Sequence, residues 1–336
     1  MDGGEVRTGV AGDLVVRRAR EGDRPAILDL ARRCLGWGAD GRYEDLFRWK
    51  HDDNPFGASP RWVALQEGRV VGFRTFLRWR FRRPDGSVAV AVRAVDTATH
   101  PDHQGRGIFR RLTLGALEEM VDEGVDFVFN TPNDSSRPGY LKMGWVELGR
   151  PPLSIVPVRV RGAPRMARSR TAAELWSEPS RAGRPATEAL ADDAVVDGLL
   201  ARVPPVARYV TDRDRPFLRW RYGNEALRYR ALAPGDDPAE GLALFRVRRR
   251  GASTEAVVAD LMVPEGDRAA ARHLVRRVAR TSGADYALVH TEPGLLGTPA
   301  LPAPGLGPRV TWRALAQAER PELDGWRFTM GDLELF

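Results

Sequence analysis

The second half of this 336-residue chain repeats the first. Arg48-Trp49-Lys50-His51, with Asn54 nearby, returns as Arg219-Trp220-Arg221-Tyr222-Gly223-Asn224, and Arg61 to Leu65 returns as Arg228 to Leu232. The order then continues. Val92 to His100, a helical stripe from Phe109 and Gly124-Val125-Asp126-Phe127-Val128-Phe129 are matched in turn by later segments: Val257 to Val263, the stripe Ala271, Leu274, Val275 and Val278, and Gly283-Ala284-Asp285-Tyr286-Ala287-Leu288. A period this long spans a whole folding unit, so two tandem copies of one fold are expected.

Within the first copy, Leu14 to Ala19 reads as a strand. Asp23 stands where an N-cap belongs, Pro25 sits just inside the helix, and Ile27, Leu30, Ala31 and Leu35 follow at helical spacing. A second short helix holds Tyr43, Leu46, Phe47 and Trp49. Three runs, Trp62 to Gln66, Val70 to Arg82 and Val88 to His100, form an antiparallel meander joined by Glu67-Gly68-Arg69 and Pro84-Asp85-Gly86. From Gly107 the period is helical again, with Phe109, Leu112, Ala116, Leu117 and Met120 on one face. Val125 to Asn130 then reads as a buried strand, and a short helix runs into Tyr140-Leu141-Lys142-Met143. The order predicts a mixed α/β domain with a mostly antiparallel central sheet flanked by helices. The expected organisation is a tail over 1–13, a first domain over 14–157, an Arg/Ala/Pro/Gly/Ser-rich connection over 158–200 and a second domain over 201–336.

Composition removes several function classes. The net charge of +7 would suggest nucleic acid, but only Lys50 and Lys142 are lysines and the arginines are scattered through every element, so no binding stripe forms. Cys34 is the single cysteine, which excludes an intramolecular disulfide and a thiolate metal cluster; with Leu35 beside it, it is expected in the core. No apolar run is long enough for a membrane span and the N-terminus lacks a basic-then-apolar pattern, so a cytoplasmic protein is expected.

The chemistry lies in Thr99-His100-Pro101-Asp102-His103-Gln104-Gly105-Arg106-Gly107-Ile108-Phe109, between a strand and an amphipathic helix. A glycine-rich loop at a helix start points several N–H groups one way, and the helix dipole adds positive charge there, which makes an anion site. Gly105 and Gly107 would cradle a pyrophosphate, with Arg106 and Arg110 or Arg111 adding charge.

Gln104-Gly105-Arg106-Gly107-Ile108 after a strand, Asn130-Thr131-Pro132-Asn133 after the next, and Gly139-Tyr140-Leu141-Lys142-Met143-Gly144-Trp145 beyond resemble the GCN5-related N-acetyltransferase (GNAT) family over roughly residues 14 to 157. The second half resembles it only as a degraded copy. Phe109 departs from the family's small residue. The resemblance implies acetyl-CoA or a longer acyl-CoA as co-substrate, with no metal, and a pyrophosphate bound by the loop from Gln104 to Ile108. It implies pantetheine between the splayed strands Val92 to His100 and Val125 to Asn130, bonded like an added strand. A main-chain N–H near Ala98 would polarise the thioester carbonyl, so no nucleophilic side chain is needed. It further implies Tyr140 as the acid that protonates the departing thiolate, with packing as its alternative role. Asn133, and after it Asn130, would bond pantetheine or position the last helix; an N-cap role for Asn133 stays open.

An attacking ammonium must lose a proton. Asp96, on the strand beside the reacting carbonyl, is the first candidate base and His100 and His103 are the next; Asp96 as a structural carboxylate stays open. The second copy replaces the glycine pair with Val263-Pro264-Glu265-Gly266-Asp267-Arg268-Ala269, whose acids repel phosphate, so it is expected to bind no CoA and to shape an acceptor cleft. The acceptor expected is a primary amine on a small natural product, with an amino sugar of an antibiotic the best single choice. A protein lysine acetyltransferase and a noncatalytic acyl-CoA sensor are the alternatives. Trp37, Trp49, Phe56 and Trp220 offer flat contact to such a substrate, although the repeat positions of Trp49 and Trp220 favour core packing.

Overall fold

The computed structural model describes residues 14–158, 171–203, 207–235, 237–264, 267–290, 296, 300–303, 306–316 and 319–334. The 1–13 tail, the Arg161 to Pro164 part of the connection, and Glu265 with Gly266 lie outside them. The first copy forms β1 (Val15–Arg18), α1 (Arg24–Leu35), α2 (Arg42–His51), β2 (Arg61–Gln66), β3 (Arg69–Arg82), β4 (Val88–Thr99), α3 (Ile108–Asp122), β5 (Phe127–Asn130), α4 (Arg137–Lys142), β6 (Val146–Gly149) and β7 (Leu153–Pro157). Next come β8 (Ser177–Glu178), β9 (Arg184–Pro185), α5 (Ala186–Ala189), α6 (Asp193–Arg202), β10 (Val210–Thr211), α7 (Arg215–Gly223) and β11 (Arg230–Leu232). The chain then forms β12 (Leu242–Arg250), β13 (Ser253–Met262), α8 (Arg268–Thr281), β14 (Tyr286–His290), β15 (Leu301–Pro302), β16 (Val310–Ala314) and α9 (Met330–Leu333).

The expected class holds: two mostly antiparallel sheets, each flanked by helices. One runs β1-β2-β3-β4-β5-β16-β6 with β10 on β3; the other runs β15-β7-β14-β13-β12-β11-β9 with β8 on β12. In each, one central pair is parallel, β4 with β5 and β13 with β14. Each sheet also takes a strand from the other half of the chain. β7 pairs with β14 and β15, whereas β16 inserts between β5 and β6. The boundary drawn at 157 therefore does not separate the sheets. Nor is the 171–200 stretch a mere connection, since β8 and β9 are ladder strands, too short for any periodicity to announce.

Two further differences have local causes. Asp23 occupies the N-cap of α1, yet its carboxylate accepts from the Arg17 guanidinium and the Arg20 N–H and caps nothing in the helix. Cys34 is half-buried, with Sγ 3.6 Å from the Thr99 carbonyl, and burial pushes its thiol up.

The repeat is visible atom by atom. Asp126 accepts the Val90 N–H before β5, and Asp285 accepts the Thr254 N–H before β14, at 2.8 and 2.9 Å. Trp49 and Trp220 stack at 5.1 Å, and each indole N–H donates to the other's main-chain carbonyl at 2.7 Å, a reciprocal contact expected of two equivalent elements related by a pseudo-twofold. Phe56 stacks on Phe217 at 5.2 Å in the same interlobe core. Core packing thus accounts for Trp49, Trp220 and Phe56. Trp37 remains half-buried, stacked on Tyr43, whose ring meets Trp176.

Candidate functional site

β4 carries the site. It pairs with β5 only over Ala91–Arg93 against Phe127–Phe129; farther along, the strands part and a cleft of about 600 Å³ opens between residues 94–99 and 130–133. His100 N–H donates to the Val71 carbonyl, so by the twofold period of an antiparallel ladder Ala98 turns its main-chain groups to β3. Thr97 and Thr99 turn theirs toward the opening. The Thr99 carbonyl is engaged by Cys34 and the Gln104 amide, and Thr97 is the neighbour of Ala98 on the side of the bulge.

At the far end of the cleft the chain makes an open glycine turn. Gly105 and Gly107 hold φ of +75° and +72°, a region where a Cβ is strained, and a Cβ on either would meet nothing within 4 Å. Glycine is therefore required by the turn, and the space above it is open. Gly107 is the N-cap of α3 and no side chain caps that terminus. Arg106 is exposed and braced on the Asp102 carbonyl, and Arg110 is exposed on the first turn; Arg111 is spent on the Leu14 carbonyl. Ile108 is buried against the sheet. His100 accepts the Asp102 N–H at 3.4 Å, beside His103, whose buried Nδ1 has no partner. Both histidines belong to this glycine-loop end of the cleft.

Tyr140 reaches the cleft from α4. Its ring is buried between Phe109 and Trp145, at 5.5 and 5.2 Å, and its hydroxyl accepts a hydrogen bond from Arg74 of β3. The Asn133 side chain accepts from the Ser136 N–H and hydroxyl and so closes the turn leading into α4, while Asn130 Oδ1 accepts from Thr311 of β16. Both asparagines face the cleft, and both have structural work.

Asp96 forms a bulge in β4, with the register shifting opposite Arg74 and Thr75 and φ at +37°. Its Oδ2 lies 2.5 Å from Lys50 Nζ and 2.7 Å from His51 Nε2, and His51 Nδ1 lies 2.9 Å from Ser59. Burial pushes the Asp96 carboxyl up, but the Lys50 charge and the His51 hydrogen bond outweigh it and hold the group well below the usual carboxylate range. Burial takes His51 down to about 4 against the pull of Asp96. A neutral His51 then donates to Asp96 and accepts from Ser59. Paired in this way, Asp96 is a poor proton acceptor and a good lock for the bulge.

Sequence reasoning missed Arg74, Lys50 and His51. Arg74 shares its strand face with Arg78, Arg80 and Arg82 and so reads as solvated; the available signal was Gly72 and Phe76 on that same face, where α3 packs. Among the described residues no group of three His, Cys, Asp or Glu could hold a metal, and no helix is long and apolar enough to cross a membrane.

Residues 15–147 match the model of the acetyltransferase (GNAT) domain. No curated protein matches the chain. Among solved structures, it is similar to a probable N-acyltransferase of Enterococcus faecalis, at 10% identity over 90% of this chain and 73% of that one, TM-score 0.63. It is likewise similar to a GCN5-related N-acetyltransferase of Anabaena variabilis, at 13% identity over 90% and 73%, TM-score 0.63. Eis1 of Mycobacterium abscessus follows at 14% identity over 90% and 74%, TM-score 0.57. These likenesses establish a shared fold.

Proposed function

We propose that the GNAT acetyltransferase domain of residues 15–147 makes this chain an acyl-CoA-dependent N-acyltransferase for a primary amine on a small or medium-sized molecule, an amino sugar being the best single choice. One observation carries the reading: a single cleft joins the uncapped start of α3, the freed edge of β4 and the Tyr140 hydroxyl. In this reading Gly105, Gly107 and the first turn of α3 hold the pyrophosphate, with Arg106 and Arg110 adding charge. Pantetheine lies along β4 as an added strand, and the Thr97 N–H faces the thioester oxygen. Asp96, locked in the ionised state, draws the acceptor's ammonium to the bulge; the ammonium gives one proton to water, the free amine attacks the carbonyl carbon directly, and the nitrogen of the adduct gives a second proton to water. Tyr140 protonates the sulfur as the C–S bond breaks. Phe109, packed on the edge of Tyr140, narrows the acyl end and favours a short acyl group.

The amino-sugar choice rests on Trp37, Tyr43 and Trp176, a half-buried aromatic surface to which both halves of the chain contribute. The test is CoA release from acetyl-CoA with amino-sugar glycosides and lysine peptides side by side. Glycoside turnover is expected, and Tyr140→Phe should lower it roughly 10- to 1000-fold with acetyl-CoA affinity retained. Peptide modification without glycoside turnover reverses the acceptor choice; binding without release in any arm favours an acyl-CoA sensor.

A further inference from the structure

The cleft wall behind Tyr140 contains a charge the fold does not require. Arg74 is fully buried, and its side chain's only hydrogen bond among the described residues runs from Nη2 to Tyr140 Oη; Nε and Nη1 have no partner. Its Cζ lies 4.9, 5.4 and 5.3 Å from the ring centres of Phe76, Phe109 and Tyr140. Aromatic faces offset part of the cost of burying a guanidinium, but no carboxylate completes it. The second lobe shows that the position can be filled otherwise. Thr97 pairs with Arg74, and Leu261, one residue past Asp260 as Thr97 is past Asp96, pairs with Ala243, which is buried and apolar.

We propose that Arg74 is a positioning residue for the departing coenzyme A thiol, holding the Tyr140 hydroxyl with its proton turned into the cleft and placing positive charge beside the sulfur–phenol pair. This rests on the reading of Tyr140 as the proton donor. Because Oη accepts from Arg74, its own proton is free to point at the sulfur. When the tetrahedral adduct collapses, the C–S pair goes to sulfur and the C=O bond re-forms. Sulfur takes the Tyr140 proton, the phenolate left behind forms a charge-assisted hydrogen bond with Arg74, and a solvent proton, equivalent to the one the adduct nitrogen releases on becoming an amide, restores the phenol. The other titratable groups on the cleft wall are Asp96, tied to Lys50 and His51, and His103 at the phosphate loop.

The experiment is calorimetric titration of the full chain with CoA, and with acetyl-CoA as the control that lacks an ionisable thiol, at about pH 6.5 and about pH 9. Both ligands share every phosphate contact, so only the thiol distinguishes them. In the wild type the preference for CoA over acetyl-CoA should rise about 10-fold between the two pH values. Arg74→Met should abolish that rise while acetyl-CoA affinity stays within about 3-fold; if it does not fold, Arg74→Gln must show the same loss. A rise that is absent from the wild type, or survives in the variant, overturns the proposal. A rise that survives Tyr140→Phe but not Arg74→Met also overturns it, because Arg74 would then act on sulfur directly. Failure of both ligands to bind would instead sink the donor-site reading itself.

Discussion

At Gly107 the first lobe begins its long helix with no side chain over the terminus; at Asp267 the second begins its equivalent helix with a carboxylate on the Ala270 N–H at 2.8 Å. The aspartates at the bulges differ in the same sense, Asp96 being the unpaired residue of β4 and Asp260 the neighbour of the unpaired Ala259 in β13. Asp96 faces Lys50 and His51 and leaves an open cleft beside it, whereas Asp260 takes Tyr222 Oη at 2.6 Å and Arg213 Nε at 2.9 Å and has the chain's own α9 turn laid over it. Gly331 of that turn sits so close that a Cβ would lie 3.1 Å from the Ala259 carbonyl. The two lobes share a fold and the reciprocal tryptophans, and they differ in whether polar groups at the helix start and the bulge are satisfied from within. A cap and a covering turn thus occupy in the second lobe the two places that stay open in the first.

The comparison can be broken in several ways. Asp96→Ala removes the carboxylate facing Lys50 and His51 and puts a Cβ with no polar side chain at a positive φ, so about 3 kcal/mol of stability should be lost in urea unfolding. Asp260→Ala should cost only about 1–2 kcal/mol, since Arg213 keeps Asp332 at 3.0 Å. Equal losses would show that the two aspartates are not in different electrostatic settings. Gly107→Asp should weaken CoA binding roughly 100-fold, by strain and by a negative charge where the phosphates sit. Calorimetry on the wild type should find one CoA per chain, and two sites would end the argument that Asp267 closes the second lobe.

Acid should act on the first lobe. His51 is near 4 when folded and about 6.5 when unfolded, so the unfolded chain takes the proton more readily between those values. Its contribution is complete above about pH 6.5 and is lost as pH falls toward 4; roughly 2 kcal/mol should be gone by pH 5. Tyr222, the equivalent residue, is raised well above 10 and does not titrate there. Urea midpoints of wild type and His51→Gln at about pH 7 and about pH 5 measure this, and an unchanged slope in the variant removes His51 from the account. Smallest, Trp49→Phe and Trp220→Phe each delete one of two equivalent N–H bonds and should cost about 1 kcal/mol apiece. Clearly unequal costs would mean that the pseudo-twofold is only geometric.

The repeat was legible because Trp49 and Trp220 stand in matching short strings, and the glycine turn before α3 because Gly105 and Gly107 interrupt a strand-to-helix passage. The role of Asn133 was half legible: an N-cap was open to it, whereas in the structure Ser136 is the N-cap and Asn133, three residues earlier, accepts the Ser136 N–H. The traded strands were not legible. Leu153 to Pro157 and Val310 to Ala314 are short apolar runs of equal merit for either sheet, and the choice between two equivalent slots is made by distant geometry, which no local pattern encodes. Asp96 misled for a related reason: its place on β4 was readable, but the lysine and histidine that bind it come from α2, 46 and 45 residues away in the chain.

Strand exchange has a consequence for how the protein comes into being. β5 borders the cleft, and its outer partner is β16, with Asn130 facing Thr311 across 181 residues of intervening chain. During synthesis the first sheet therefore waits, with one edge of β5 unpaired, until nearly the whole second copy has left the ribosome. Loop closure over that distance is slow, and an open strand edge is where chains find each other and aggregate. The two halves are obliged to mature together, and neither can be cut away without leaving the other one strand short.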